Sequence, residues 1–447
     1  MKKIKRFLAK VHSSRRRSSQ HHAPPALSLA LSSTSSWITE ADSADGVCTS
    51  ILEQLPFEMR HQILLAVDTI DDLNALVHAS PTYHQQYRLG RAFWLWRSLW
   101  LDMGPVLIDA YTANLGMTLN SRPERNYNQR TASRSFITSY HLRRSTTAEA
   151  LFASASTEEI INIAAFYSST IRPLLPQYVA WTRNNLGALS MPDQLSKTER
   201  TRIVRGMYRF QIFCNVFSNT KYGQSEKMEL FLGAYDPWEI EELICIERFA
   251  SFKFQSALDE VEKDLHPDDS RFDIDRWGPF TPDGSFNPYD KELYQNGMVA
   301  LGLAHLCATL KVQDHSELVD FISESLVLRE TDSIYETIEH CGRERDRAGR
   351  VSDRDRAQYR RDKMPFVGDR IDSPPLAWVT IWREEYSNLI CRAIPKLLHD
   401  WGYVMWDADR LVDSGALAVF EKEWNEWYLD QFDEFEDPRA SDPIISQ

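Results

Sequence analysis

The chain lacks the cysteine patterns that hold small secreted domains together. Its six cysteines are scattered over 447 residues without CxxC or CxH spacing, and they are Cys48, Cys214, Cys245, Cys307, Cys341 and Cys391. So few cysteines in so long a chain favour reduced, buried thiols over a disulfide framework or a zinc site. The cysteine usage therefore predicts an intracellular protein.

The chain also lacks the short motifs of well-known catalytic chemistries. It contains no HExxH, GxSxG or GxxxxGK, and no GxGxxG that follows a strand. The adjacent His340 and Cys341 favour a helix-end pair over a nucleophile and its base. The acids from Asp268 to Asp275 lack the glycine and terminal glutamate of an EF-hand. We therefore predict no enzymatic activity, no metal and no cofactor.

Long apolar runs are absent, and basic and acidic residues are unevenly distributed along the chain. No apolar run approaches the roughly 18–20 residues of a membrane-spanning helix. The net charge is -13, but residues 1–39 contain eight basic residues and no acid, so the remainder carries about -21. A body this acidic has no general attraction for nucleic acid or anionic lipid. We predict that neither nucleic acid nor a membrane is a partner.

Strand signals are scarce, whereas helix signals recur along the chain. Alternating β-branched runs between two-residue turns are missing. Helix starts are indicated at Ser156-x-x-Glu159, Ser196-x-x-Glu199, Asp236-Pro237-Trp238-Glu239 and Asn287-Pro288. The last of these begins a helix that the pattern continues through Met298 and Leu306. An apolar stripe follows the second start, at Ile203, Met207, Phe210, Phe213, Cys214 and Phe217. The sequence predicts an all-α fold.

The N-terminal segment is basic and serine-rich, with few apolar residues after Leu8. Such a composition buries too little surface to offset the entropy of ordering, so we predict disorder. The basic clusters at Lys2–Arg6 and Arg15–Arg17 also fit a nuclear-import signal. Alternatively, the helical spacing of Ile4, Phe7, Leu8 and Val11 is similar to a mitochondrial presequence. We expect the nucleus or cytoplasm, with the mitochondrion as the alternative.

Composition and helix signals together divide the chain into six parts. We predict a disordered basic arm at 1–46, a short helical domain at 47–100, an α-helical domain at 101–342, a charged linker or insertion at 343–365, C-terminal helices that pack on the body at 366–437 and a tail at 438–447. The charged segment Arg343–Lys363 has nine basic and five acidic residues, which is typical of a solvated helix or a disordered insertion. A patch for an anionic partner is the alternative.

Residues 51–87 form the most informative stretch, ILEQLPFEMRHQILLAVDTIDDLNALVHASPTYHQQY. Leu55-Pro56 starts a first helix, in which Met59, Ile63 and Val67 share one face. Asp71 is placed to cap a second helix, which Pro81 stops near Ser80. Three helices this short cannot enclose a core of their own. Their apolar faces therefore need another surface, either in this chain or in a partner.

This stretch resembles an F-box through the motif Leu55-Pro56-x-Glu58-Met59, Ile63-Leu64, Asp71-x-Leu73 and Leu76. Its end, ALVHASPTYHQQY, is similar to a version common in fungal F-box-like proteins. The resemblance implies docking onto a Skp-type adaptor of a cullin-RING ligase. It also implies a function as substrate-receptor subunit of an SCF-type ubiquitin ligase, with an unknown protein as substrate. The residues it assigns to the adaptor-facing and packing surface are Leu55, Pro56, Met59, Ile63, Leu64, Leu73 and Leu76. Segments around Pro237-Trp238-Glu239 and Asp400-Trp401-Gly402 resemble recurring parts of the same proteins.

Two other functions compete with this reading. The first is a non-enzymatic interaction or scaffold protein whose F-box-like helices pack internally and recruit no ligase. The second is an enzyme with a helical active site that carries no familiar motif; perturbed acids or histidines in a cleft would favour it.

The C-terminal end carries an aromatic stripe. Trp424, Trp427, Tyr428, Phe432 and Phe435 fall along one helical face, while acids occupy the other face. We expect this stripe to dock on the body, because exposed aromatic residues invite association. An exposed partner-binding helix is the alternative.

Overall fold

The structure is a computed structural model that describes residues 50–119, 126–187, 189, 191–218, 222–265, 288–326, 333–338, 364–382 and 394–432, with side chains except at 126–129, 288–290 and 428–432. Regular structure within these residues is helical and includes no strand, which confirms the all-α prediction. The predicted arm at 1–46, the charged segment Arg343–Lys363 and the tail at 438–447 lie outside the described residues. The same holds for His340, Cys341 and the acids from Asp268 to Asp275.

The chain divides into two compact units between Asp102 and Met103. The first unit contains α1 (Phe57–Ala66), α2 (Ile70–Ala79), α3 (Pro81–Leu89) and all but the last residue of α4 (Arg91–Met103). The predicted cap at Asp71 is wrong, because Thr69 Oγ1 accepts a hydrogen bond from Asp72 N at 3.1 Å and caps α2 two residues earlier. Ser80 separates α2 from α3 and caps α3, as the Ser-Pro pair predicts.

The second unit is an irregular assembly of helices. They are α5 (Leu107–Gly116), α6 (Asn126–Arg143), α7 (Ala148–Ser154), α8 (Thr157–Phe166), α9 (Arg172–Leu186), α10 (Lys197–Phe217), α11 (Gln224–Leu230), α12 (Pro237–Val261), α13 (Pro288–Ala300), α14 (Leu303–Thr309), α15 (His315–Ser325), α16 (Leu376–Ile381), α17 (Lys396–Asp400), α18 (Ala408–Ser414) and α19 (Ala416–Phe432). Short 3₁₀ turns span Gly104–Val106 and Leu232–Ala234, a π turn spans Tyr167–Ile171, and residues 334–338 are helical.

The predicted helix starts are confirmed by their caps. Ser156 with Glu159 and Ser196 with Glu199 form capping boxes, in which each serine hydroxyl and each glutamate carboxylate accepts a backbone N–H of the other residue. Asp236 N donates to Glu239 Oε2 at 3.1 Å at the start of α12. Local sequence therefore fixes where α8, α10 and α12 begin.

The sequence pattern predicts that the helix starting at Pro288 continues through Leu306, and this prediction is wrong. It ends at Ala300, and α14 begins after Gly302, whose φ of 82° is open to glycine but unfavourable for other residues. A Cβ on Gly302 would lie 2.7 Å from Gln211 Nε2. Gln211 Oε1 accepts a hydrogen bond from Leu303 N at 2.8 Å and so serves the new helix start.

Helix α10 lies at the centre of the second unit, between α12 and α5. All six residues of its predicted apolar stripe are buried. Three arginines one or two turns apart are buried as well, namely Arg202, Arg205 and Arg209. A buried charge costs several kcal/mol unless it is paired, so the neighbours of α10 must supply anions.

The carboxylates come from α12 and α5. Arg205 forms a bidentate pair with Glu242, with nitrogen–oxygen distances of 2.8 and 2.5 Å. Arg209 Nη1 lies 2.9 Å from Glu239 Oε1, and its Nε lies 3.4 Å from Asp109 Oδ2. Burial alone would raise the pKa of Glu239, but the nearby arginine charges lower it to about 2, so this carboxylate is ionised.

A second group of ion pairs joins the start of α10 to the C-terminal helices. Arg202 Nη1 lies 2.8 Å from Asp407 Oδ1. Arg410 donates from Nε and Nη2 to Glu199 at 2.6 and 2.8 Å. The glutamate of the capping box therefore also accepts two hydrogen bonds from an arginine of α18. Asp407 N donates to Glu199 Oε1 at 3.0 Å. These bonds hold the residues around Asp407 against α10.

Removal of Glu242 should strongly destabilise the protein. The change Glu242→Ala leaves Arg205 buried without its bidentate partner, and we expect a loss of about 3–5 kcal/mol in the free energy of unfolding. The double change Arg205→Met with Glu242→Leu should cost less than Glu242→Ala, because no charge is then stranded. Urea denaturation measures both, with the exposed Glu421→Ala as the control, expected within about 0.5 kcal/mol of wild type.

The first residue of the predicted aromatic stripe, Trp424, packs inside the second unit against another C-terminal tryptophan. Trp424 is buried, and its ring centroid lies 5.0 Å from that of Trp382 and 5.5 Å from that of Trp427. Phe420, one turn earlier, is also buried and stacks on Trp401 at 5.7 Å. The side chains of Tyr428 and Phe432, and residue Phe435, lie outside the described part.

Trp424→Ala should therefore destabilise the second unit by about 3–5 kcal/mol, since it removes a buried indole and leaves a cavity. Trp427→Ala is the matched comparison on the same helix and should cost less, because Trp427 is only half-buried. Chemical denaturation of both variants measures the difference. Equal, near-zero effects would mean that α19 does not depend on this docking.

Candidate partner-binding site

Apolar side chains are exposed around the start of α1. Phe57 and Met59 retain 48% and 53% of their accessible surface, and Ile51 and Leu52 just before them are also exposed. Pro56 is exposed, and Leu55 is half-buried. We call these six residues the α1 patch. A group of exposed apolar residues close together in the sequence is a candidate docking surface.

The structure divides the seven residues that the motif assigns to this site. Pro56 and Met59 are exposed, whereas Leu55, Ile63 and Leu76 are half-buried. Leu64 and Leu73 are buried, with 1% and 2% of their surface accessible. Leu64 and Leu73 therefore serve packing, and only the members near the start of α1 can meet a partner without rearrangement.

Two polar side chains hold the backbone on both sides of Leu55-Pro56. Arg60 Nη1 donates to Glu53 O at 2.8 Å, and Gln86 Nε2 on α3 donates to Phe57 O at 3.1 Å. Arg60 Nε also donates to Gln86 Oε1 at 3.1 Å, which joins the two anchors to each other. The three bonds fix the path of residues 53–57.

Further hydrogen bonds tie the same segment to the start of α3. Ser80 Oγ donates to Glu53 Oε1 and accepts from Tyr83 N, so one hydroxyl serves both the segment and the helix cap. Tyr83 OH donates to Leu52 O at 3.4 Å. The carbonyls of Leu52, Glu53 and Phe57 therefore all accept side-chain hydrogen bonds from within the unit.

The C-terminal end of α1 is held by α4. Arg97 Nη1 donates to Val67 O at 2.7 Å, and Nη2 donates to Leu65 O. These are carbonyls that the helix itself leaves without partners, and a guanidinium also suits the negative end of the helix dipole. Both ends of α1 are thus fixed by side chains from other helices, and the α1 patch is presented on a constrained backbone.

His61 lies against aromatic rings of the first unit. Its ring centroid lies 4.9 Å from that of Trp94 and 6.2 Å from that of Phe57. Burial lowers the pKa of His61, so the ring is neutral at pH 7. His61 therefore supports Phe57 as an apolar surface.

Sequence reasoning missed Arg60, Gln86 and Arg97. Their partners lie 26 to 32 residues away along the chain, except that Arg60 also reaches Glu53. Gln86 stands in the polar run TYHQQYR, where nothing distinguishes it from the exposed Gln85. A pattern of apolar residues cannot show such contacts, because they depend on how α3 and α4 return to α1.

The described residues contain no group of His, Cys, Asp and Glu side chains that could hold a metal ion. No described helix is long and apolar enough to cross a membrane. The ring of His305 lies between those of Phe254 and Phe321, and burial lowers its pKa to about 4. The pair of His399 Nε2 and Glu241 Oε2, at 2.5 Å, is buried and joins α17 to α12.

Comparison with protein-family models, with curated proteins and with solved structures gives no match to this chain.

Gln86 offers a direct test of how the α1 patch is positioned. Gln86→Ala removes the donor to Phe57 O and the acceptor of Arg60 Nε, and we expect a loss of about 1–3 kcal/mol. Gln85→Ala changes the neighbouring, exposed glutamine and should have almost no effect. Thermal or urea denaturation compares the two, and hydrogen exchange at residues 55–60 should increase only in Gln86→Ala.

Proposed function

We propose that residues 50–102 dock a Skp-type adaptor and that the chain is a substrate-receptor subunit of an SCF-type ubiquitin ligase. In this proposal the second unit holds an unidentified protein substrate. The chain contributes proximity and orientation to ubiquitin transfer and performs no covalent step itself.

The observation that carries the proposal is the exposed α1 patch on a backbone fixed from both sides. Burying a fully exposed Phe or Met side chain contributes roughly 1.5–3 kcal/mol, and a segment that is already ordered loses less entropy on binding. The patch also contains Leu55, Pro56 and Met59, which are the residues of the F-box resemblance nearest to the helix start. The motif and the α1 patch thus share three of the seven motif residues.

The competing function is that of an interaction or scaffold protein without a ligase. The burial of Leu64 and Leu73 favours it, because these motif residues serve packing in this chain. The two proposals differ in what covers Phe57 and Met59. A Skp-type adaptor covers them in the first proposal and does not bind in the second.

Substitutions in the α1 patch test adaptor binding. Co-expression with a Skp-type adaptor should yield a complex, and Leu55→Ala with Pro56→Ala should weaken it by ~2 kcal/mol or more, about thirtyfold. Phe57→Ala with Met59→Ala should weaken it at least tenfold, since both side chains are exposed before binding. Biolayer interferometry with immobilised adaptor gives the dissociation constants.

Controls separate docking from folding. Val412→Ala removes an equally exposed apolar side chain in the second unit and should leave adaptor affinity unchanged. Circular dichroism and the thermal midpoint should show that Phe57→Ala with Met59→Ala is folded. If this folded variant bound the adaptor as wild type does, or if wild type bound no adaptor at all, the ligase proposal would be wrong.

A further inference from the structure

The second unit contains a pocket of about 460 Å³ beside α10, α12 and α13. Part of its wall is the short helical segment 333–338, which we call the strap. Ser333, Tyr335 and Glu336 of the strap line the pocket, whereas Ile334 is completely buried. Because the strap forms part of the wall, its displacement would open the pocket on that side.

The backbone at the start of the strap is satisfied in two different ways. The first amide N–H groups of a helix have no partner within it. Inside the strap, Ser333 N donates to Glu336 Oε2 at 2.7 Å, and Glu336 N donates to Ser333 Oγ at 3.0 Å. From α12, Glu247 accepts Ile334 N on both carboxylate oxygens at 2.8 and 3.0 Å, and it accepts Tyr335 N at 3.3 Å. The bonds inside the strap move with it, but the bonds to α12 exist only while the strap is docked.

Other contacts hold the strap without involving Glu247. Ile338 is buried, and the ring centroid of Tyr335 lies 5.9 Å from that of His399 on α17. Lys396 Nζ lies 5.5 Å from the centre of the Tyr335 ring. The packing of the strap can therefore be changed by substitution while the carboxyl on α12 is left in place.

The charge of Glu247 is costly in the docked arrangement. Burial raises the pKa of Glu247 to about 7, although the two strap amides and the charge of Lys227 lower it. The like charge of Glu336 raises it further. With the strap displaced, Glu247 would face solvent and its pKa would move toward the ordinary value of 4.5. The docked strap therefore favours the protonated carboxyl.

Several other ionisable groups share the pocket wall with Glu247. They are Cys214 on α10, Lys227 on α11, Arg248 on α12, Lys291 and Glu292 on α13, Tyr335 and Glu336 on the strap, and Lys396 on α17. Arg248 donates to both carboxylate oxygens of Asp400 at 2.8 Å. Lys291 Nζ lies 2.6 Å from both Asp259 and Glu262. These two cations thus have acidic partners outside the pocket wall, and Lys227 and Glu336 are the wall groups whose charges act most strongly on Glu247.

We propose that the strap closes this pocket under proton control, because it docks more tightly when Glu247 is protonated and opens more readily when Glu247 is ionised. The protonated carboxyl keeps a carbonyl oxygen that accepts Ile334 N, while the cost of a buried charge is removed. The ionised carboxylate regains solvent when the strap leaves, which favours the open position. This inference does not depend on adaptor binding.

The direction of the pH dependence follows from the two values of the pKa. An acid whose pKa is raised in the docked state stabilises docking most below its ordinary pKa of 4.5, and this stabilisation is lost as pH rises toward 7. Well above pH 7 the carboxyl is ionised in both positions and docking weakens no further. Between pH 6 and pH 8, the equilibrium should shift toward the open strap by roughly tenfold.

Hydrogen exchange with mass spectrometry on the full-length protein tests this shift. After correction for the intrinsic exchange rate at each pH, protection of the strap amides relative to those of α9 should fall roughly tenfold from pH 6 to pH 8. Glu247→Gln cannot ionise and should abolish this difference, whereas Glu292→Gln changes an exposed acid of the same pocket and should retain it. Equal protection at both pH values, stronger protection at pH 8, or a pH effect that persists in Glu247→Gln would overturn the proposal.

Ile334→Val supplies a second variant that keeps the carboxyl. The loss of one buried methyl group should lower protection of the strap by about two- to tenfold at both pH values. The roughly tenfold difference between pH 6 and pH 8 should remain, since Glu247 still titrates. This comparison is available even if Glu247→Gln does not fold. Disappearance of the pH difference in folded Ile334→Val would contradict control by a separate carboxyl.

Cys214 reports whether the pocket opens together with the strap, because it is buried and lines the pocket. Its rate of alkylation by iodoacetamide, divided by the rate in Glu247→Gln at the same pH, should rise roughly tenfold from pH 6 to pH 8. The division cancels the titration of the thiol itself. The same ratio for Cys307, which lies outside the pocket wall, should not change. A constant Cys214 ratio despite altered strap protection would mean that the strap does not close the pocket, and would overturn the proposal.

Discussion

The burial of three arginines on one helix is the constraint on which the second unit depends. Arg202, Arg205 and Arg209 lie inside, where an unpaired guanidinium would cost several kcal/mol. Each must therefore meet a carboxylate from another helix, and these carboxylates lie far away along the chain. Packing of apolar side chains alone would tolerate small shifts of α12 and α5 against α10. The ion pairs do not, because a guanidinium–carboxylate pair is lost within a few ångströms.

In the first unit, hydrogen bonds hold a surface segment whose apolar side chains are largely exposed. Residues 53–57 carry apolar side chains that do not fold inward, so the backbone must be held by other means. Arg60, Gln86, Ser80 and Tyr83 supply hydrogen bonds to Leu52, Glu53 and Phe57 that fix its path. A segment held in this way can present apolar groups without collapsing onto its own unit. The proposed docking of an adaptor depends on both properties, a backbone that is fixed and apolar side chains that are exposed.

Some features of the fold could be predicted from local sequence, and others could not. The starts of α8 and α10 were predictable, because a capping box is a contact between residues three positions apart. The docking of Trp424 was predictable from helical periodicity. The cap of α2 was misassigned, since Thr69 and Asp71 both fit the local pattern. The break at Gly302 was missed, because an apolar run gives no sign that Gln211, some ninety residues earlier, caps the helix that follows.

Local sequence patterns establish the class of fold, the positions of several helix starts and the apolar character of the α1 patch. These depend on periodicity and on neighbours within one or two helical turns. Which motif residues are exposed, which are buried and which acid pairs with each arginine follow from the packing of distant parts of the chain. Those features arise from residues tens to hundreds of positions apart, so no local pattern contains them.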